Sequence, residues 1–275
     1  MGRGIELVAG FATNPGATLT TLTPSTNTSF TVRGTDTTKN AWLCSAFAFN
    51  ATAGELVIKS PRLHDNVQGI RNRVTASLTA PLFNTPFNPM AKQRLFAQDN
   101  LTVQISGGGA ELDCGAVLIY YEDLAGVAGR FIDYPTILKS GLNLVTAEVT
   151  VTAVATGNFG GAVAINSTFD TLKANTDYAL LGGMTDTRGT AVGITGVDLG
   201  NLRLGFPAEP SLRDTTNNWF VGLAVALGLP AIPVINSANK SAITIDVETN
   251  GAGGTYIVNL TLLEMAQGSV SATGL

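Results

Sequence analysis

Charged residues are scarce in this sequence, since Asp, Glu, Lys and Arg fill 13% of its 275 positions. Soluble domains usually contain about 25% charged residues. Apolar residues make up 45% of the chain, which is enough for substantial cores. A free monomer would have too few charges to cover its surface with a charged coat. We therefore expect the chain to bury part of its surface against other subunits.

Positive charge is scarce as well, with a formal net charge of −4 and a pI near 5.0. Proteins that bind nucleic acid generally present a basic field, so we expect no direct contact with nucleic acid. The first ten residues, MGRGIELVAG, contain no apolar segment of signal-peptide length. Glu6 stands where an N-myristoylation motif requires Ser or Thr. We expect neither secretion nor a lipid anchor.

The chain also lacks a long uninterrupted apolar run. The most apolar stretch, Trp219 to Ile235, contains Pro230 and Pro233. It is too short and too interrupted to cross a bilayer as a helix. We predict that it forms a buried strand with its loop.

Histidine occurs once, as His64, and cysteine twice. Ser60, His64 and Asp65 could formally make a catalytic triad, but neighbours in sequence rarely converge on that geometry. One histidine and two distant cysteines have no metal-ligand spacing. We predict no catalytic residue, no metal, no cofactor and no enzymatic activity.

The two cysteines, Cys44 and Cys114, fall on predicted strands. Residues at the matching positions later in the chain are Leu180 and Tyr256, which are both apolar. This pattern predicts two core thiols that act as small hydrophobic groups. A disulfide between them is the open alternative.

What the sequence does contain is a stretch that occurs twice. Residues 101–124, LTVQISGGGAELDCGAVLIYYEDL, align without a gap with residues 243–266, ITIDVETNGAGGTYIVNLTLLEMA. Each residue of the second copy lies 142 positions after its counterpart, as Thr244 follows Thr102 and Glu264 follows Glu122. A self-similarity of this length indicates a duplicated architecture, which must be considered before other features.

Within the first copy, Leu101, Val103 and Ile105 alternate with polar residues, as in a half-buried strand. A second alternating segment follows the glycines 107–109, so we predict a long hairpin in each copy. The glycines could suggest a phosphate cradle, but no Gly-Lys-Ser/Thr follows them. A hairpin turn is the preferred interpretation. Glu122 and Glu264 are predicted to have a structural role at the edge of each sheet.

Further short strands are predicted over residues 41–49, 55–59, 148–154 and 177–181, with turn residues between them. Residues 56–58 match residues 202–204, and the loops Pro61 to Asp65 and Pro210 to Asp214 also match, although these shifts differ from 142. The recurring Arg and Asp of these loops could form ion pairs between subunits, but local turns capped by Asp65 and Asp214 are preferred. Many short strands and few helical patterns indicate an all-β protein of two tandem antiparallel β-sandwiches.

Two sandwiches of this size in tandem resemble the double jelly-roll major capsid proteins of adenovirus and of tailless, membrane-containing bacteriophages. The resemblance concerns architecture, size and duplication, and no short motif carries it. It implies one jelly-roll domain over residues 1–128 and a second over residues 129–275. It further implies pseudo-hexagonal trimers in the icosahedral shell of a virion assembled in the host cytoplasm. The implied partners are neighbouring capsomers, penton and minor proteins, and whether a membrane lies under the shell stays open.

Two other functions stay open. One is a capsid decoration or spike protein, and the other is a lectin-like or cupin-like binding module. A lectin would offer clustered aromatic residues and carboxylates on its loops. The loop aromatics of this chain are sparse, and the best candidates are Phe83, Phe87, Phe96 and Phe159.

Overall fold

The protein folds into four antiparallel β-sheets, as seen in a computed structural model. The structure describes residues 2–25, 29–34, 40–49, 54–63, 66–74, 93–107, 112–124, 126–127, 129–153, 157–165, 172–249 and 253–270. Two sheets are formed by strands between Gly2 and Leu124, and the other two by strands between Phe131 and Met265. The prediction of an all-β fold with two tandem sandwiches is confirmed.

The first half of the chain forms sheets I and II. Its strands are β1 (Gly2–Thr13), β2 (Gly16–Thr21), β3 (Thr23–Pro24), β4 (Ala41–Phe49), β5 (Gly54–Lys59), β6 (Ile70–Val74), β7 (Gln93–Leu95), β8 (Thr102–Gly107) and β9 (Leu112–Leu124). Sheet I has the order β3-β1-β9-β4-β7, and sheet II has the order β2-β8-β5-β6. The predicted strands 41–49 and 55–59 correspond to β4 and β5.

The second half forms sheets III and IV. Its elements are β10 (Phe131–Ile132), α1 (Tyr134–Ser140), β11 (Gly141–Ala153), β12 (Phe159–Ala164), β13 (Asp177–Thr185), β14 (Ala191–Thr195), β15 (Leu204–Pro207), α2 (Arg213–Thr216), α3 (Trp219–Leu227), β16 (Ile232–Asn236), β17 (Thr244–Glu248) and β18 (Gly254–Met265), with 3-10 turns at Pro210–Leu212 and Ser237–Ala242. Sheet III has the order β10-β16-β13-β18-β11, and sheet IV has the order β12-β17-β14-β15.

Both halves have the strand order of a jelly roll. If the short edge strands β3 and β10 are set aside, the described residues of each half form eight strands. One sheet holds the first, eighth, third and sixth strands, and the facing sheet holds the second, seventh, fourth and fifth. This arrangement of two interleaved Greek keys defines the double-sheet jelly roll. Sheets I and II are therefore the first jelly roll, and sheets III and IV the second.

The predicted hairpins are wrong. Strand β8 pairs with β2 and β5 in sheet II, whereas β9 pairs with β1 and β4 in sheet I. Strands β17 and β18 separate into sheets IV and III in the same way. Alternating hydrophobicity shows that a strand has a buried face, but it does not show which strand lies beside it. The glycine turn at residues 107–109 lies outside the described residues except for Gly107.

A β-bulge at the same place in both jelly rolls shows which of their residues correspond. In sheet I, Leu43 pairs with Ile119 and Ser45 with Leu118, so one extra residue lies between them on β4. In sheet III, Leu180 pairs with Leu262 and Gly182 with Thr261, which is the same irregularity on β13. Ile119 therefore corresponds to Leu262, a shift of 143 rather than 142 for this last strand. The gap-free sequence alignment, at a shift of 142, therefore matched residues of β9 and β18 whose side chains point to opposite faces of their sheets.

Two other expectations also fail. Residues 219–227 form the helix α3 rather than a strand, and the strand of that region, β16, begins at Ile232. Residues 202–204 do not correspond to β5, because the strand with the sheet position of β5 is β14. Leu204 instead begins β15, which corresponds to β6.

Sheet I is buried on both faces. One face packs on sheet II, where Val8, Val117 and Ile119 share a core with Ile58 and Val103. Residues of its other face belong to the core of the second jelly roll. They are Ile5, Leu7, Ala9, Cys44, Phe47, Ala116, Leu118 and Tyr120, each at most 3% exposed. The second jelly roll therefore also covers the outer face of the first.

Candidate assembly surface

Of the formal triad Ser60, His64 and Asp65, the structure describes Ser60. The Ser60 hydroxyl is buried and donates a hydrogen bond to Asp99, and its oxygen accepts one from the Arg62 backbone N–H at 3.0 Å. His64 and Asp65 lie outside the described residues. Ser60 therefore anchors the turn that follows β5, since both of its hydrogen bonds are local to that turn and to the loop before β8.

The two thiols are reduced and buried, as the sequence predicted. Cys44 is the bulge residue of β4 and packs with the core of the second jelly roll, whereas Cys114 lies on the neighbouring strand β9. Burial raises the pKa of the Cys44 thiol strongly. A thiol in this environment is a packing group rather than a nucleophile.

The recurring charged residues occupy separate places. Glu264 lies on the central strand β18 and binds the Lys173 ammonium at 2.6 Å and the Asn143 side-chain amide at 2.8 Å. Its position is therefore the end of a central strand and not a sheet edge. Arg213 and Asp214 are exposed in α2, and the side chain that caps the preceding 3-10 turn is Glu209. The Asp214 turn cap is therefore not present.

The candidate loop aromatics do not form a binding platform in the part of the chain that is described. Phe159 is 7% exposed, and the Arg203 guanidinium lies over its ring at 4.3 Å from the centroid. Phe96 is 37% exposed, with the Arg94 guanidinium 6.0 Å from its ring centroid. Phe83 and Phe87 fall outside the described residues.

The side chains that line a polar cavity on the second jelly roll bind one another through ion pairs and hydrogen bonds. Arg130 binds both carboxylate oxygens of Asp177, at 2.8 Å and 2.7 Å. Although burial raises the pKa of Asp177, the Arg130 hydrogen bonds lower it below its usual value. Asp198 accepts hydrogen bonds from the backbone of Asn236 and the side chain of Asn239. These pairs fasten the start of the second jelly roll to its own sheet.

The contact between the two jelly rolls is called here the seam, and it is continuous from β1 to α3. The Leu7 backbone N–H donates to the Arg203 carbonyl oxygen at 2.6 Å, just before β15. Phe47 meets Trp219 of α3 edge to face, with ring centroids 6.0 Å apart and an interplanar angle of 86°. The Tyr120 hydroxyl donates to the Pro230 carbonyl oxygen at 3.2 Å. Apolar packing and directional hydrogen bonds thus fix one jelly roll against the other.

A buried carboxyl group lies in the seam. Glu248 of β17 is fully buried, and its Oε1 accepts a hydrogen bond from the Ser25 hydroxyl of the first jelly roll. Its Oε2 has no hydrogen-bond partner among the residues that the structure describes. The nearest cation, Arg203, instead binds Asp246, which lies two residues before Glu248, at 2.8 Å. Burial raises the pKa of Glu248 to about 8, so the group is neutral at pH 7.

The second jelly roll carries an exposed apolar surface on adjoining elements, called here the leucine patch. It consists of Leu138 of α1 together with Leu142 and Leu144 of β11, which are 69%, 57% and 67% exposed. Helix α1 contacts the start of β11, and β11 is the long edge strand of sheet III. Monomeric proteins tend to protect long edge strands and to avoid grouped apolar side chains. This surface is the best candidate for a functional contact.

The described residues offer few sites of other kinds. No group of three or more His, Cys, Asp or Glu side chains among them is placed to hold a metal ion. Within the same ranges, no helix has the length and hydropathy needed to cross a membrane.

Three solved structures resemble this chain. The crystal structure of PBSX exported protein XepA is 10% identical, with a TM-score of 0.27, over 94% of this chain and 86% of that one. The crystal structure of the STIV major capsid protein is 10% identical, with a TM-score of 0.20, over 95% and 88%. The atomic structure of Sulfolobus turreted icosahedral virus gives 10% identity and a TM-score of 0.20 over 97% and 83%. No protein-family model and no curated protein matches. The jelly-roll assignment rests on the strand order of this chain itself.

The seam was not predicted from the sequence. Its clearest sequence signal is β1, where GIELVAGFA is apolar at consecutive positions rather than at alternate ones. Such a run indicates a strand buried on both faces. The burial of Glu248 could not be predicted from the sequence, because a carboxylate on a predicted strand usually indicates the solvent-exposed face.

Proposed function

We propose that this chain is a viral major capsid protein that acts by self-assembly and without catalysis. Its subunits form pseudo-hexagonal trimers, and the trimers tile an icosahedral shell. Residues 1–128 and 129–275 serve as its two jelly-roll domains, related by duplication. Low charge supports this function, because 13% charged residues suit a protein whose sides are covered by neighbours.

One observation carries the proposal. The outer face of sheet I is buried by the second jelly roll, whereas the corresponding face of sheet III includes the exposed residues Leu144 and Thr146. The chain thus already contains one side-by-side contact between jelly rolls, and it presents a further apolar surface at its end. Repetition of such a contact between chains produces a closed ring or an open array.

The resemblance to double jelly-roll major capsid proteins implies the partners. They are other copies of the chain, neighbouring capsomers, penton and minor proteins, and a membrane under the shell where one is present. The protein is then a component of the virion, assembled in the host cytoplasm. The net charge of −4 supports a role without direct contact to nucleic acid.

Light scattering coupled to size exclusion tests the proposal over a range of concentrations, with negative-stain images of the same fractions. We expect particles of three times the 28.4 kDa chain mass, with a six-lobed outline, and shells or sheets at high concentration. A chain that stays monomeric at every concentration and forms no shells contradicts the proposal. Trimers that bind preformed shells without forming their own would instead indicate the decoration or spike function, and reproducible hits on a glycan array the lectin-like one.

A further inference from the structure

The first jelly roll has a polar cavity of about 680 Å³ at one end of sheet II. All four strands of the sheet contribute to its walls, with Thr18 of β2, Glu55 of β5, Arg71 and Arg73 of β6, and Ser106 of β8. Cavities that bind small molecules usually occupy about 300–1,000 Å³. This cavity is therefore large enough for a ligand of that class.

The strand register places the charged side chains of this cavity on one face of the sheet. Arg71 and Arg73 are two residues apart on β6, so their side chains point to the same side. Glu55 pairs with Arg73 on one neighbouring strand and with Ser106 on the other. Directly paired residues share a face of the sheet. The next residue of β5, Leu56, points the other way, into the core of the first jelly roll. The cavity thus lies on the outer face of sheet II.

The charges in this cavity do not balance. Glu55 binds Arg71 through one carboxylate oxygen, at 2.6 Å from Nη1, and Arg73 through the other, at 3.1 Å from Nη2. Two guanidinium groups therefore share one carboxylate, and each uses one nitrogen for it. The described lining contains no further acidic residue. The cavity carries an excess positive charge in a chain whose net charge is −4.

The two arginines are held to different degrees. Arg71 also donates from Nε to the Gln68 carbonyl oxygen at 3.0 Å, which fixes its guanidinium at the wall of the cavity. The Arg73 side chain is 82% exposed, and exposed ion pairs contribute little to stability. Arg73 can therefore turn from Glu55 to a ligand at small cost.

The polar cavity of the second jelly roll has the opposite balance. There Arg130 lies against two carboxylates, with Asp177 at 2.7 Å and Asp198 at 4.0 Å. That cavity has an excess of negative charge and repels anions. The pair of arginines therefore gives the cavity of sheet II a preference that the other cavity lacks.

We propose that the cavity of sheet II, called here the arginine cavity, binds a small ligand through a phosphate group. A phosphate monoester carries a charge of about −1.5 to −2 at pH 7 and three strong acceptor oxygens. Planar guanidinium groups bind such oxygens in pairs. Because its charge exceeds that of a carboxylate, phosphate can take donors from Glu55. The site belongs to the single chain, so it is independent of the proposed self-assembly.

Isothermal titration calorimetry with inorganic phosphate tests the inference, while sodium chloride keeps the ionic strength constant. Acetate serves as the comparison anion, because it carries one charge and two acceptor oxygens. Glycerol phosphate is titrated in parallel, since it presents the same group on a small organic molecule. The full chain is used in each titration.

Three variants identify the residues that bind. Arg73→Gln removes one guanidinium, and Glu55→Gln removes the carboxylate that competes with the ligand. Arg71 is kept, because its contact with Gln68 also holds the turn before β6. Arg213→Gln is the matched control, since Arg213 is exposed in α2 and its loss changes the net charge as Arg73→Gln does. Circular dichroism and thermal unfolding verify that each variant is folded.

We expect the unaltered chain to bind one phosphate in the millimolar range and to bind acetate more weakly. Arg73→Gln should weaken phosphate binding by about tenfold. Glu55→Gln should strengthen it by about fivefold, because a neighbouring negative charge no longer repels the ion. Arg213→Gln should leave the affinity unchanged. A misfolded variant would lose affinity, so the gain with Glu55→Gln cannot result from misfolding.

The inference is overturned if the unaltered chain binds no phosphate, or if it binds acetate as tightly. It is also overturned if Arg213→Gln weakens binding as much as Arg73→Gln, because overall charge would then account for the effect. Tighter binding of glycerol phosphate than of inorganic phosphate would identify an organic phosphate as the ligand. Equal affinities would identify the free ion, and both results support the arginine cavity.

Discussion

Ser25 and Glu248 lie 223 positions apart in the chain, yet the Ser25 hydroxyl donates a hydrogen bond to the Glu248 carboxyl group in the seam. The groups packed around Glu248 include one cation and one further acid, Arg203 and Asp246, and these bind each other. Strands β14 and β12, which flank β17, contribute Ala191 and Phe159 opposite Glu248 and no charge. A carboxyl group in this position is stable in its neutral form.

Stability should therefore fall as the pH rises through the neutral range. Burial raises the folded pKa of Glu248 from 4.5 to about 8. Its contribution is fully present below the unfolded pKa and is lost as the pH rises through the folded pKa. The difference in unfolding free energy between the natural chain and Glu248→Gln should decrease by up to about 1.4 kcal/mol per pH unit in this window. Urea unfolding from pH 4 to pH 9 measures it.

Glu122→Gln is the control for this titration, because Glu122 is partly exposed on β9. It removes an acidic residue that is not buried, so the comparison with Glu248→Gln isolates the effect of burying a carboxyl group. A constant difference between the natural chain and Glu248→Gln would mean that Glu248 does not change its ionisation on folding.

The aromatic pair of the seam should contribute strongly to stability. Phe47 is 1% exposed and Trp219 is 2% exposed. We expect Phe47→Ala to lower the unfolding free energy by about 3–5 kcal/mol, because it removes a buried ring and leaves a cavity. Phe96→Ala, at a residue 37% exposed, should cost at most about 1 kcal/mol. Equal losses for the two variants in chemical unfolding would contradict the position of Phe47 in the core.

Two glycines should respond in opposite directions to alanine. Gly222 is exposed in α3, and no atom lies within 4 Å of an added Cβ. Gly222→Ala should stabilise the protein by about 0.5–1 kcal/mol, because alanine favours helix.

Gly161 has φ of +71°, and an added Cβ would lie 2.0 Å from the Thr152 carbonyl oxygen. Gly161→Ala should destabilise by more than about 1 kcal/mol through backbone strain and that clash. Thermal unfolding of both variants measures the two effects, and a stabilising Gly161→Ala would contradict the left-handed backbone conformation of Gly161.

The cysteines should be unreactive in the folded protein. Cys44 is 3% exposed and Cys114 is fully buried. We expect no reaction with a water-soluble disulfide reagent at pH 8 under native conditions. Two thiols per chain should react in denaturant without a reductant. Fewer than two would indicate a bridge between them.

The sequence predicted those features that depend on neighbouring residues. Strand β4 was predicted with its observed bounds, because AWLCSAFAF is apolar and flanked by turn residues. Strand β1 was missed, because a strand buried on both faces lacks the alternation that identifies half-buried strands. The helix α3 was mistaken for a strand, since WFVGLAVAL is apolar on nearly every side and has no clear period.

The sequence repeat correctly predicted two jelly rolls whose last strands correspond, but it matched the wrong residues of those strands. Within residues 101–124, a single extra position in one copy reverses which side chains face the core. Leu118 and Leu260, an identical pair in the sequence alignment, point to different faces, because the bulges align Leu118 with Thr261. The leucine patch could not have been predicted, because the sequence alone does not show that Leu142 and Leu144 lie exposed on an edge strand.

The placement of β9 between β1 and β4 also bears on how the chain folds. Leu7 pairs with Leu118 and Thr146 with Thr261, so the central strands of both sheets join residues more than a hundred positions apart. Chains dominated by such distant contacts fold slowly, in about milliseconds to seconds even for small domains. The apolar outer face of sheet I also stays uncovered until the second jelly roll has formed. During synthesis, this exposed apolar face favours aggregation until the second jelly roll covers it.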